Sequence, residues 1–208
     1  MFKIKIIISV YFVLILLKGF SQDNYKTNGS LEEFNSLTVS LFSLDKNYSY
    51  LKNIGDKNDV YISQVGNQNI SNVHIIGNNN GKKTDPINIK QVGNNNFSNI
   101  LIIGNHTKTN IEQYGHNNYS GVLVSGNKNV ADIYINGSNN VYNTFGGILV
   151  LNGFYNEAYV DINASNNLYG IAQIGGYSNW AKIIINSDFN AAAILQIGGY
   201  NRAKLVQR

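Results

Sequence analysis

A turn signature, Gly followed three residues later by Asn, returns along this chain at a step that is mostly eleven residues. It stands at Gly55/Asn58, Gly66/Asn69, Gly77/Asn80, Gly93/Asn96, Gly115/Asn118, Gly126/Asn129, Gly137/Asn140, Gly153/Asn156, Gly176/Asn179 and Gly198/Asn201. Ala164 and Ser187 replace the Gly before Asn167 and Asn190, and Thr107 replaces the Asn after Gly104. Two steps are sixteen residues (77 to 93 and 137 to 153) and one is twelve (164 to 176). A short fixed period requires a stacked architecture, because a unit this small can bury a face only against its neighbours.

The residues between the turns say what is stacked. Four places before each Gly position the chain carries Ile62, Val73, Ile89, Ile100, Ile111, Val122, Ile133, Leu149, Val160, Ala172, Ile183 and Ile194. Two places before, it carries Gln or an aliphatic residue, and six places before mainly Ser, Thr or Ala. The places between them, such as Tyr61, Asn72, Lys90, Glu112, Asp132 and Lys182, read as far more polar. Apolar residues two apart define strands with one buried face, whereas a helix needs them three and four apart. Gly and Asn then fall in the turns, where Gly tolerates positive φ and Asn can bond its own backbone.

Gln91 and Gln113 are twenty-two residues apart, so Gln marks every second strand in that stretch. The expected fold is all-β, a β-solenoid of six or seven stacked two-strand coils with about 22 residues per coil and about 4.8 Å between rungs. Stacked Gln side chains would bond amide to amide along the axis. Aliphatic burial would drive collapse, and the amides would fix register, since an unpaired buried amide costs about 1–3 kcal/mol.

Composition suits a stacked-strand chain: 13% of residues are charged, with one Pro and no Cys. Residues 1–21 read as a secretory signal peptide, with Lys3 and Lys5 before an apolar stretch over 6–17 and small residues before Gln22. The formal charge is +4, but taking Lys3, Lys5 and Lys18 from 16 basic residues leaves 13 against 12 acidic ones. A near-neutral mature chain has no electrostatic footprint for nucleic acid. Residues 22–46 read as a largely irregular arm with strand-like alternation over 36–43, and 47–208 as the repeat domain. The two long steps each insert five residues, the first with Lys82, Lys83 and Pro86, the second around 144–147.

Gln196, Gly198, Asn201, Ala203 and Gln207 resemble one copy of the curlin repeat, in which Gln is followed by Gly two, Asn five, Ala seven and Gln eleven residues later. Gln64/Gly66/Asn69/Ser71, Gln91/Gly93/Asn96/Ser98 and Gln113/Gly115/Asn118/Ser120 match with Ser in the Ala place. The resemblance covers about residues 47–208. It implies a subunit of curli, the secreted functional amyloid of bacterial surfaces, which acts in adhesion and biofilm matrix. Such subunits cross the outer membrane through a dedicated export pore with assembly factors and polymerise with other curlin subunits. The Gln alternation departs from the family pattern between Gln113 and Gln173, where Ile135, Leu151 and Ile162 replace it. The basic ending Arg202, Lys204, Arg208 looks like the last unit of the minor, nucleating curlin rather than the major subunit.

Self-assembly is therefore assigned to a ladder of Gln64, Gln91, Gln113, Gln173, Gln196 and Gln207. The turn amides Asn69, Asn80, Asn96, Asn118, Asn129, Asn140, Asn156, Asn167, Asn179, Asn190 and Asn201 complete it. Arg202, Lys204 and Arg208 are assigned to a terminal templating rung. No enzyme chemistry, metal or cofactor is expected: His74, His106 and His116 have no ligand at metal spacing, no acid–base carboxylate pair stands out, and no phosphate-binding Gly motif occurs. The competing expectation is a monomeric solenoid adhesin or carbohydrate binder using outward Tyr and Asn rows.

Overall fold

The computed structural model describes residues 25–28, 34–42, 47–82, 86–140 and 148–208. The leader expected over 1–21 and the second insertion around 144–147 lie outside them. Among the described residues every element is a strand, and consecutive strands alternate between two parallel sheets. One sheet, the odd sheet, holds β1 (Tyr25–Asn28), β3 (Tyr48–Ile54), β5 (Ile70–Ile76), β7 (Phe97–Ile103), β9 (Tyr119–Ser125), β11 (Ile148–Phe154), β13 (Leu168–Tyr177) and β15 (Ala191–Ile197). The even sheet holds β2 (Phe34–Phe42), β4 (Asn58–Val65), β6 (Ile87–Val92), β8 (Lys108–Tyr114), β10 (Val130–Asn136), β12 (Glu157–Ile162), β14 (Trp180–Ile185) and β16 (Arg202–Gln207). The molecule is a two-strand-per-coil β-solenoid.

Period two becomes burial directly: β8 and β12 alternate half-buried and buried side chains along their whole length. Ile62, Ile89, Ile111 and Ile133 from the even sheet meet Val73, Ile75, Ile100 and Ile102 from the odd sheet in a core of almost no solvent exposure. Each such side chain contributes roughly 1.5–3 kcal/mol by burial.

Register explains the unequal steps. Gln91 pairs with Gln113, twenty-two residues on, while Gln64 pairs with Gln91, twenty-seven on, because the coil between them carries the first insertion. The twelve-residue step places one extra residue at the end of β13, where pairing with β11 shifts past Asn152. The longer steps thus leave the strands on either side in register.

The turns are more constrained than Gly and Asn alone suggest. At Gly93 φ is +126°, and a Cβ there would meet the Gly115 carbonyl oxygen at 1.9 Å, so successive turns stack with backbone on backbone. The residue two places after each turn-opening position is also left-handed, at φ +55° to +60°, whether it is Asn95, Lys128 or Tyr155. Asn accepts that conformation best among non-Gly residues.

Two expectations are corrected. The 22–46 arm, read as largely irregular outside the strand-like 36–43, carries the additional strand β1 as well as the nine-residue β2 over that alternation, and the two pair with β3 and β4. The outer faces are also not uniformly polar. The even sheet presents Lys90, Glu112, Asp132, Asp161 and Lys182, whereas the odd sheet presents Ile54, Ile76, Leu101, Ile103 and Leu123.

Among the described residues Tyr169 is the one phenol placed deep in the core. It is 2% exposed, and its hydroxyl donates to the Tyr119 carbonyl two rungs away at 3.1 Å. Burial pushes its phenol far above the usual range, and Tyr159 is pushed up to about 12 by burial and then by Glu157, whose carboxylate accepts its hydroxyl at 3.1 Å. A raised phenol pKa favours the folded state below the unfolded value of 10, and that stability is lost as pH rises through the folded value. Alkaline titration should therefore show tyrosinate absorbance lagging for Tyr169 until far-UV circular dichroism reports loss of strands, and Tyr169→Phe should remove the lagging component. Ionisation of every tyrosine near pH 10 with the strands intact would contradict this burial.

Candidate functional site

The chemistry of the interior lies in columns of amides. Gln91 is fully buried; its Oε1 accepts from Gln64 Nε2 at 2.7 Å and from Ser71 Oγ at 2.9 Å. Its Nε2 donates to Gln113 Oε1 at 2.9 Å, to Ser98 Oγ at 3.0 Å and to the Ile70 carbonyl at 3.1 Å. The Gln column of the even sheet is thus interleaved with a hydroxyl column, Ser49, Ser71, Ser98 and Ser120, reaching across from the odd sheet. Sequence reading saw these serines as small residues; their part as the second rail shows only once the sheets face each other.

The column ends cleanly. Ile135 follows Gln113 in register, and Gln113 Nε2 turns instead to Ser120 Oγ at 2.7 Å and the Phe97 carbonyl at 3.1 Å. A second Gln pair forms in the odd sheet, where Gln173 Nε2 donates to Gln196 Oε1 at 2.8 Å. Here the facing residues are Ala158 and Ala181, not Ser, and Gln173 Oε1 is buried without a partner. Gln207 lies in the even sheet over Ile185, so it stacks on no Gln; its Nε2 donates to the Ala191 carbonyl at 3.0 Å.

Two Asn columns run along the turns. Their amides chiefly bond between rungs instead of to their own backbone. Asn96 Oδ1 accepts the Asn118 backbone N–H at 3.1 Å, and Asn96 Nδ2 donates to the Gly115 carbonyl at 2.9 Å. The same pair of bonds joins Asn69 to Asn96 and Gly93, Asn118 to Asn140 and Gly137, and Asn140 to Asn167 and Ala164. In the other turn column Asn58 holds Asn80, and Asn129 holds Asn156, which holds Asn179, which in turn holds Asn201 and the Gly198 carbonyl. Thr107 interrupts this column, and its hydroxyl is buried without a partner. The Asn190 N–H donates to Asn167 Oδ1 in the first column, and the Asn190 Nδ2 folds back onto the Ser187 carbonyl. A further exposed column, unmarked in the sequence, follows each Gly: the Asn94 N–H donates to His116 Nδ1 at 3.1 Å, and the His116 N–H to Ser138 Oγ at 3.1 Å.

The two Asn columns three places after Gly run one way, each side chain fastening the next rung toward the C-terminus, whereas the exposed column runs the other way, as where the Asn67 N–H donates to Asn94 Oδ1 at 2.8 Å. At the last rung the C-terminal direction meets solvent. Ala203, Leu205 and Gln207 point inward yet are half-exposed, although Ala181, Ile183 and Ile185 one rung below are fully buried. At the opposite end β1 and β2 cover β3 and β4, and Leu51, Ile62 and Gln64 are fully buried. Arg202 and Lys204 of β16 and the terminal Arg208 are exposed; Arg202 lies over the Trp180 ring at 5.7 Å and Lys204 over Lys182 in register.

The outer face of the even sheet carries a shallow groove of about 440 Å³ lined by Asn110, Asp132, Tyr134, Tyr159, Asp161 and Lys182. Among the described residues no three His, Cys, Asp or Glu side chains stand close enough to hold a metal ion. His74 lies on the outer face of the odd sheet, its imidazole held below the usual range by burial and then by Lys52.

Comparison with protein-family models, with curated proteins and with solved structures finds no match. Fold and ladders alone define the class: a parallel, two-sheet β-solenoid repeat protein with buried amide columns.

Proposed function

We propose that this chain is a secreted structural subunit of a curli-type extracellular fibre, with a nucleating role, acting in adhesion and biofilm matrix. The carrying observation is the last rung, β16, whose inward residues Ala203, Leu205 and Gln207 are half-exposed above fully buried equivalents in β14. Exposed strand edges of this kind recruit further strands. A copy added in register would set its β1 on β15 and its β2 on β16, continuing both sheets. Its partners in this reading are further curlin-type subunits, an outer-membrane export pore and assembly factors.

Thioflavin T kinetics on the chain from residue 22 onward test the reading. Preformed fibrils should abolish the lag, and a dye-negative monomer that cannot be seeded would falsify it. Deleting residues 201–208 tests the nucleating role: fibres should still form from companion subunits but shed from the cell surface. Fibres that remain attached place nucleation elsewhere in the chain.

The groove beside Tyr134 and Tyr159 favours a second reading, a monomeric carbohydrate-binding solenoid, because aromatic faces flanked by carboxylates and amides suit sugar rings. Glycan-array binding by a chain that does not seed would select it.

A further inference from the structure

The outer face of the odd sheet is the least expected surface of the molecule. Ile54, Ile76, Ile103, Leu123 and Ile174 are each between 36% and 46% exposed there, and they recur rung after rung. From β3 to β15, the only charged side chain at its described outward positions is Lys52, on β3. A contiguous apolar surface of this extent is rare on a soluble monomer unless something docks on it.

We infer that this face is an interface between copies of the chain, packed side by side with solenoid axes aligned, independently of the end-to-end growth proposed above. Three features select a second copy as the occupant. First, area: strands of seven residues at about 3.3 Å each, stacked seven deep from β3 to β15 at about 4.8 Å, give a face of roughly 800 Å² per partner, the size of a stable interface. Second, spacing: a sheet presents ridges at its rung interval, and another copy has the same interval, so two such faces interdigitate about 10 Å apart. Third, self-complementarity: a two-fold pair sets each patch on its own kind, which an apolar face tolerates and a charged one does not. The even sheet would place Lys182 and Lys204 against like charges; the odd sheet has no such conflict over β5 to β15. Gly170 contributes relief, since it is only half-buried and leaves no side chain on the outward row that holds Asn99 in β7. A partner's leucine can seat there.

The chain has no cysteine, so one introduced thiol reports the contact without background. Leu123 lies in β9, near the middle of the odd sheet, and Asn110 lies in β8 on the outer face of the even sheet. Oxidation of full-length Leu123→Cys should give a disulfide-linked dimer as the main product, while Asn110→Cys stays largely uncrosslinked. Repeating the assay with Leu101→Cys and Ile174→Cys covers pairs offset by a rung or more along the face. Leu123→Lys should halve the sedimenting mass of soluble assemblies, or the width of filaments where these form, with seeding unchanged. The inference is overturned if all three odd-sheet thiols label with maleimide as fast as Asn110→Cys and none crosslinks. It is equally overturned if they are protected in a monomer, which would make another segment of the chain the occupant, or only when lipid vesicles are added. Loss of pairing with seeding intact separates this inference from the fibre reading, and loss of seeding with pairing intact does the reverse.

Discussion

Gly93→Ala should cost about 2–6 kcal/mol of stability, among the largest losses expected from any single methyl group in the solenoid. Two penalties combine. An L side chain at φ +126° is strained by about 1–3 kcal/mol. The new Cβ would also fall 1.9 Å from the Gly115 carbonyl oxygen, a backbone atom of the next rung, so the stack must open at an overpacking cost of about 1–3 kcal/mol. Gly198→Ala is the control: its φ is +88°, and nothing lies within 4 Å of the added Cβ, so only the backbone strain of about 1–3 kcal/mol remains. Guanidinium unfolding followed by circular dichroism compares the two, and amide exchange in β6 and β8 locates the opening. Equal losses at the two sites would refute rung-on-rung contact as the reason for glycine. The chain contains its own variation on this test, since Ala164 and Ser187 occupy the Gly place late in one column without positive φ.

That stacking was legible in the sequence because the turn period and the strand period are both local. Gly and Asn three apart mark the turn, and apolar residues two apart mark the strand, so the solenoid needs no long-range information. What an eleven-residue period hides is which sheet a strand joins, because eleven residues are half a coil. Averaged over both sheets, outward positions look polar; sorted by alternate strands, Leu101, Ile103 and Leu123 separate from Lys90, Glu112 and Asp132. The same averaging hid the serine rail. Ser71 and Ser98 lie six residues before their own Gly positions, but their partners are Gln64, Gln91 and Gln113 across the core. Local turn chemistry likewise reads Asn as closing its own turn. It fastens the neighbouring turn instead, because the Gly carbonyl there is within 2.8–2.9 Å of Asn69, Asn96 and Asn118.

Gln91→Leu should be the next most damaging change in the interior, at about 2–4 kcal/mol, although leucine is the more hydrophobic residue and fits a core of isoleucines. The loss falls on the neighbours. Gln64 Nε2 and Ser71 Oγ lose their acceptor, and Gln113 Oε1 and Ser98 Oγ lose a donor, all inside a column of no solvent exposure. Leaving a buried polar group unsatisfied costs about 1–3 kcal/mol, and the surviving bonds to the Tyr48 and Phe97 carbonyls limit the total. The loss should fall below the sum of the single losses when the serines go too, because Gln91→Leu combined with Ser71→Ala and Ser98→Ala removes both sides of the Gln91–Ser71 and Gln91–Ser98 bonds, although Gln64 and Gln113 then lose their serine partners as well. The molecule already uses that solution: in the even sheet Ile135 and Ile162 pair with each other, both fully buried, with no amide between them. If the triple substitution were as unstable as the sum of its parts, measured by the same unfolding titration, the amide column would be a set of independent bonds and could not be what holds the rungs in register.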